Sequence, residues 1–307
     1  MPITVSRDSA KRALLERLVD DAGLFPPAQR PMREALAHHR RHAESAYAWV
    51  GGRFVLPASR ADEFAARRDE AGETIDLSVI LDDAVEESLR RIERLRALPG
   101  VTISSLELLV PGELQADALL RATVLVAARF AKTEIVLWCE SPYAGAWPTP
   151  PDVTLQAVAA VRRDSPANIT LGAKVRCGGP TDASVPTVDD LAAFVLAAQR
   201  HNVPWKATAG LHHPVRGTYD RRMMHGFLNL FVPGVALHAG ALTDLHVTDV
   251  IAEADPRAFL VDPMHVGWRD VRVDADAVAA AREHCVAYGS CSFAEPVNDL
   301  RELGILA

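Results

Sequence analysis

Short apolar runs alternate with amphipathic stretches along almost the whole 307-residue chain, eight of each. Strand–helix alternation of this kind demands a parallel sheet with helices on its faces. The apolar runs lie at 48–56, 76–81, 102–110, 134–139, 169–177, 203–209, 259–261 running on to 265, and 286–291. The amphipathic stretches lie at 59–70, 83–97, 112–130, 153–163, 187–201, 220–253, 274–284 and 295–303, and Pro233 divides the sixth into two helices. Two helices at 8–21 and 32–42 precede the first strand. A count that closes at eight predicts a (β/α)8 TIM barrel over 46–307, with 1–45 as a short N-terminal helical extension. The competing architecture, an open doubly wound sheet, lacks the G-x-G-x-x-G turn that its nucleotide-binding forms carry.

A net charge of −7 argues against a nucleic-acid partner. The first 25 residues carry charge in every turn, unlike a signal peptide, and no window reaches the roughly 20 apolar residues of a membrane span. The expectation is a cytoplasmic protein with no membrane contact. Cys139, Cys177, Cys285 and Cys291 form no C-x-x-C pair, so reduced thiols are expected.

Of 33 basic residues only four are lysine. Lysine is therefore not the general surface cation of this chain, and a lysine inside the fold calls for a reason. Side chains alternate between the two faces of a barrel strand. On LGAKVRCGG, Leu171, Ala173 and Val175 take the outer face, so Lys174 and Arg176 point inward. On VPWKATAG, Trp205 and Ala207 are outward, and Lys206 and Thr208 inward. The same parity turns Glu107 and Glu140 toward this space. Buried charges are costly unless paired, so a static ion network is one reading. The other is a site, in which crowded cations lower a lysine pKa and make its amine nucleophilic.

The two inward lysines on neighbouring strands, with K-A-T-A-G at 206–210, resemble the lysine-bearing strands of class I (Schiff-base) aldolases, in particular the deoxyribose-phosphate aldolase type with its K-T-S-T-G stretch. The resemblance spans residues 172–179 and 206–210. It implies a carbon–carbon lyase in which Lys206 forms an imine with a carbonyl substrate. In that family a further lysine on the next strand tunes the amine. The run FLVDPMHVGW at 259–268 has no lysine, so Lys174 takes that part here. Glu140 or Asp262 would shuttle protons through water. Arg176 with Gly178 and Gly179 would hold a phosphate or carboxylate of the small-molecule substrate.

A second cluster follows the sixth run: His212 and His213, with His225 beyond. Adjacent histidines in extended chain face opposite sides. One of them, joined by Glu107, Glu140 or His265, offers an alternative: a divalent metal ion and a metal-dependent isomerase or hydrolase. The leading reading needs no cofactor. Ser290 and Ser292, at a turn of small residues before the last helix, are anion-binding candidates. Cys291 has no evident partner in sequence and reads as a buried small residue. The segment Asp21–Pro27 caps the bottom of the barrel or forms a subunit contact in a homo-oligomer, and Arg53 reaches the mouth if parity allows.

Overall fold

The computed structural model describes residues 9–110, 115–179 and 181–307. Its strands are β1 (Val19–Asp21), β2 (Gly51–Pro57), β3 (Ile75–Leu81), β4 (Val101–Leu109), β5 (Ile135–Glu140), β6 (Ile169–Arg176), β7 (Trp205–Thr208), β8 (Gly217–Tyr219), β9 (Arg222–Met224), β10 (Phe259–Val261), β11 (His265–Trp268), β12 (Val271–Asp274) and β13 (Cys285–Ser290). The helices are α1 (Ala10–Leu15), α2 (Met32–Ala43), α3 (Ala61–Ala65), α4 (Val85–Arg96), α5 (Ala116–Arg129), α6 (Pro151–Asp164), α7 (Val188–Arg200), α8 (Phe227–His238), α9 (Val247–Ala252), α10 (Ala275–Ala281) and α11 (Ala294–Glu302). Asp8 and Gly112, where two expected helices begin, lie outside the described residues. Among the described residues no helix is long and apolar enough to cross a membrane.

Eight strands close into a parallel barrel in the order β1-β13-β7-β6-β5-β4-β3-β2. The fold is the expected (β/α)8 barrel, but its membership differs from the sequence reading at two strands. The run 259–261 is not a barrel strand: it forms an antiparallel sheet with β11 and β12. Asp262 closes the first hairpin of that sheet, accepting from the backbone N–H groups of Met264 and His265. The missing eighth strand is β1, inside residues 1–45. The spacing of Leu14, Leu15, Leu18 and Val19 suits one continuous helix, but the chain turns at Arg17, whose φ of +50° is left-handed, and leaves the helix for the sheet. Pro233 does not divide two helices either. It lies within α8, whose residues 227–237 are all buried, and the chain breaks after it near Gly240, at φ +67°.

Outward strand faces pack under the helices, as Trp205 does against Phe194 and Phe231, with ring centroids 6.1 and 5.1 Å away. Inside the barrel, Gly172 faces Trp138 across the β5–β6 register, and a Cβ there would stand 2.4 Å from the indole. A glycine at this point lets the large ring fill the interior. Below it, at the amino ends of the strands, Arg53 Nε donates to Ser104 Oγ, which donates to Asp76. Arg53 therefore seals the bottom of the barrel and does not reach the mouth.

Candidate active site

The period-two alternation read from β6 and β7 holds. Lys174 and Lys206 are register partners on adjacent strands, both point inward, and both are buried. Lys174 Nζ lies 2.6 Å from Glu107 Oε2 and 2.6 Å from Glu140 Oε2. Lys206 Nζ lies 2.8 Å from Glu107 Oε1 and 2.6 Å from Asp20 Oδ2. Glu107 thus bridges the two ammonium groups and also accepts from Ser78 Oγ at 2.6 Å. Arg176 donates to Glu140 Oε1 from Nε at 3.0 Å. Three acids face three bases, which is how so many charges tolerate a dry interior.

Burial alone would push the Glu107 and Glu140 carboxyls up. The facing cations outweigh it and hold both below the ordinary carboxylate range: Lys174 and Lys206 at Glu107, Lys174 and Arg176 at Glu140. Burial would likewise lower Lys174, but the carboxylates of Glu107 and Glu140 overcome it and raise its pKa above that of a free lysine. Lys174 is therefore a fixed ammonium.

This cluster is the floor of a cavity of about 540 Å³ at the carboxyl ends of the strands, where barrel enzymes carry their sites. Of the residues singled out in the sequence, the cavity brings together Lys174, Lys206, Glu107, Glu140, Arg176, Thr208, Gly178, Gly179, His212 and Ser290. His213 and Ser292 are not among its lining residues. His213 stacks on Tyr219 with centroids 3.5 Å apart and contacts Asp299 through Nδ1 at 2.6 Å. Ser292 Oγ accepts from Glu295 N at the start of α11, and its carbonyl accepts from Ser290 Oγ. Gly178 and Gly210 have a steric role: a Cβ on Gly178 would stand 2.7 Å from the Gly210 Cα, so the β6 and β7 loops touch backbone to backbone.

Among the described residues, the histidines singled out in the sequence do not gather around one point with the floor acids. His212 and His213 are engaged by Glu295 and Asp299, and the floor acids are taken by ammonium groups. His265 is in the β10–β12 sheet, and His225 Nε2 lies 2.7 Å from the Pro186 carbonyl oxygen. Among the described residues no three His, Cys, Asp or Glu side chains converge as a metal site. Asp262, in its hairpin, is not a lining residue of the cavity.

Three features escape the sequence reading. Asp20 completes the floor from a strand only three residues long, where the V-D-D run was the available signal. Phe25, Pro26 and Pro27 line the cavity mouth and do not cap the barrel bottom. Cys291 also lines the cavity, with Sγ 3.9 Å from His212 Nδ1, a partner supplied by the fold.

No protein-family model matches this chain, and no curated protein matches it. Among solved structures it is similar to the tetrameric deoxyribose phosphate aldolase from Aeropyrum pernix, with a TM-score of 0.50 and 15% identity over 97% of this chain and 99% of that one. That likeness is one of fold. A D-threo-3-hydroxyaspartate dehydratase from Delftia sp. HT23 matches at TM-score 0.34 and 14% identity, over 90% of this chain and 60% of that one. A magnesium-complexed mandelate racemase/muconate lactonizing protein from Paracoccus denitrificans PD1222 matches at 0.29 and 12%, over 74% and 63%. Neither adds to the argument.

Proposed function

We propose that the protein is an imine-forming carbon–carbon lyase of the aldolase kind, acting on a small carbonyl compound that carries a carboxylate or phosphate, with Lys206 as nucleophile. The observation that carries this reading is the pair of buried lysines in register at the cavity floor, sharing Glu107. An imine-forming amine must be neutral when it attacks. Lys174, clamped between Glu107 and Glu140, is the cation that stays charged, and Lys206, the lysine of the K-A-T-A-G stretch, is the one assigned as amine. Asp20 Oδ2, bonded to Lys206 Nζ on the side away from Lys174, is the carboxylate suited to take its proton.

The Lys206 nitrogen then attacks the carbonyl carbon, and the carbinolamine loses water to give an iminium. As a cavity water takes the proton of the hydroxyl on the β carbon, the bond between the α and β carbons breaks, its electron pair passes into the iminium to leave an enamine, and the β carbon departs as an aldehyde. That proton returns to the α carbon of the enamine, and hydrolysis of the resulting imine releases the second product and returns the free amine. The Lys174 ammonium, held by Glu107 and Glu140, lies beside the reacting nitrogen and stabilises negative charge that develops on the carbonyl oxygen. Arg176, at the rim, offers its guanidinium to the substrate oxyanion, with the Gly178–Gly179 backbone and Ser290 nearby. The fold likeness to an aldolase agrees with this chemistry. The tetrameric state of that neighbour supports self-association here, which light scattering tests.

The experiment is borohydride reduction in the presence of small keto acids, aldehydes and sugar phosphates, followed by intact mass and peptide mapping. An adduct on Lys206 that disappears in Lys206→Arg, with the circular dichroism spectrum unchanged, is the expected result. Adducts confined to Lys174 would reassign the nucleophile. The absence of any adduct would favour the static ion network.

A further inference from the structure

The cavity above the lysines is divided. One side, built by β6, β7, β13 and the loops after them, carries Arg176, Thr208, His212 and Ser290. The opposite side is built by β2, β3 and β4, and apart from Glu107 at the floor each lining residue it contributes is aliphatic: Val55, Ile80, Leu108 and Leu109. Strand parity accounts for this. Ile80 is the register partner of Glu107, and Leu109 that of Glu140, so the two apolar side chains share the inward face and flank the charged floor. Leu109 is 50% exposed, and Met223, on the β8–β9 hairpin that also borders the opening, is 44% exposed. Phe25, in the loop after β1 and so next to β2, extends the apolar border.

A small, fully hydroxylated or phosphorylated substrate gains nothing from such a wall. Its hydroxyls would lose water without receiving partners. An apolar chain leaving the reacting carbon on that side would instead cover surface that water now wets.

From this division we infer that the substrate is bipartite: an oxyanion end held on the Arg176 side, and an apolar alkyl or aryl arm lying against Val55, Ile80 and Leu109. This rests on the carbonyl reading above for the reacting group, but the wall recognises the arm whether or not an imine forms. Ile80 and Leu109 are then the residues that set substrate length. The polar end fixes direction, and each further carbon on the arm adds affinity until the arm reaches the open side of the cavity.

The test uses straight-chain carboxylates without a carbonyl, so that binding is separated from imine chemistry. Acetate, butyrate and caproate are titrated calorimetrically into the wild-type protein and into Leu109→Asn, a half-exposed position where a neutral polar group leaves the fold intact and adds no charge to repel the anion. Wild-type affinity is expected to rise by about fourfold per methylene buried. In Leu109→Asn the rise with length is expected to vanish while acetate is unaffected; Ile80→Asn gives the same result from the neighbouring strand. Caproate binding no tighter than acetate, or a variant that weakens both acids equally, overturns the inference. Borohydride trapping with pyruvate and α-ketocaproate separates the two claims. A length-dependent affinity with no adduct on either keto acid sinks the imine reading alone, whereas adducts formed equally well with both sink the apolar arm alone.

Discussion

Lys206 and Asp20 stand 186 residues apart in the chain and 2.6 Å apart in the fold, both essentially without solvent. The pair ties the seventh strand to the first across the barrel interior. Replacing the acid in Asp20→Asn leaves the lysine one carboxylate short in a dry site. A loss of roughly 3 kcal/mol in unfolding free energy is expected, read from the urea midpoint at unchanged slope. A change within experimental scatter would mean that Glu107 alone satisfies the ammonium.

The same network sets the limits of pH stability. Glu107 and Glu140 have depressed pKa values in the fold, so their contribution is complete above the unfolded carboxylate value of about 4.3 and is lost as pH falls below it. Lys174 has a raised pKa, so its contribution is complete below the unfolded lysine value of about 10.4 and is lost as pH climbs past it. Unfolding free energy followed across pH should show a plateau between these limits. Glu107→Gln should flatten the acid limb, and an acid limb identical to wild type in that variant would assign the loss to other carboxylates.

How much of this was legible in the chain depended on local period. The inward positions of Lys174, Arg176, Lys206 and Thr208 followed from alternation on β6 and β7, which are long or apolar enough to display it. The strand carrying Asp20 has three residues and continues a helical spacing, so only the short V-D-D run marked it. The 259–261 run is apolar and β-prone, and only its pairing with β11 distinguishes it from a barrel strand. His213 was lost for another reason: its partner Asp299 lies 86 residues away, and no pattern in sequence joins them.

Close approach at the rim is testable by a single methyl group. In Gly178→Ala the new Cβ meets the Gly210 backbone, which has no flexible end to move aside. A cost of about 1–3 kcal/mol is expected, with altered ligand affinity at the mouth. Thermal melting and carboxylate titration report the two effects, and a variant indistinguishable from wild type in both would show that the loops separate freely.

All four thiols are free and buried. Burial raises each thiol pKa, to about 12 for Cys139 and Cys285, so the native protein should react slowly with a thiol-exchange reagent at neutral pH and give four equivalents once denatured. Cys291 borders the cavity and should be the first to react in the native state. Rapid labelling of Cys139 or Cys285 in native protein would contradict the burial described here.

The three-residue strand β1 lies between β2 and β13, and β13 lies between it and β7. Asp20 cannot lie beside Lys206 within a closed wall until the stretch from Cys285 to Ser290 has been inserted. During synthesis, therefore, a chain that has already made both lysines and both glutamates still has an open seam and an incomplete floor. Only when the last strand has left the ribosome do β1 and β13 meet, and the site becomes whole in the same event that closes the barrel.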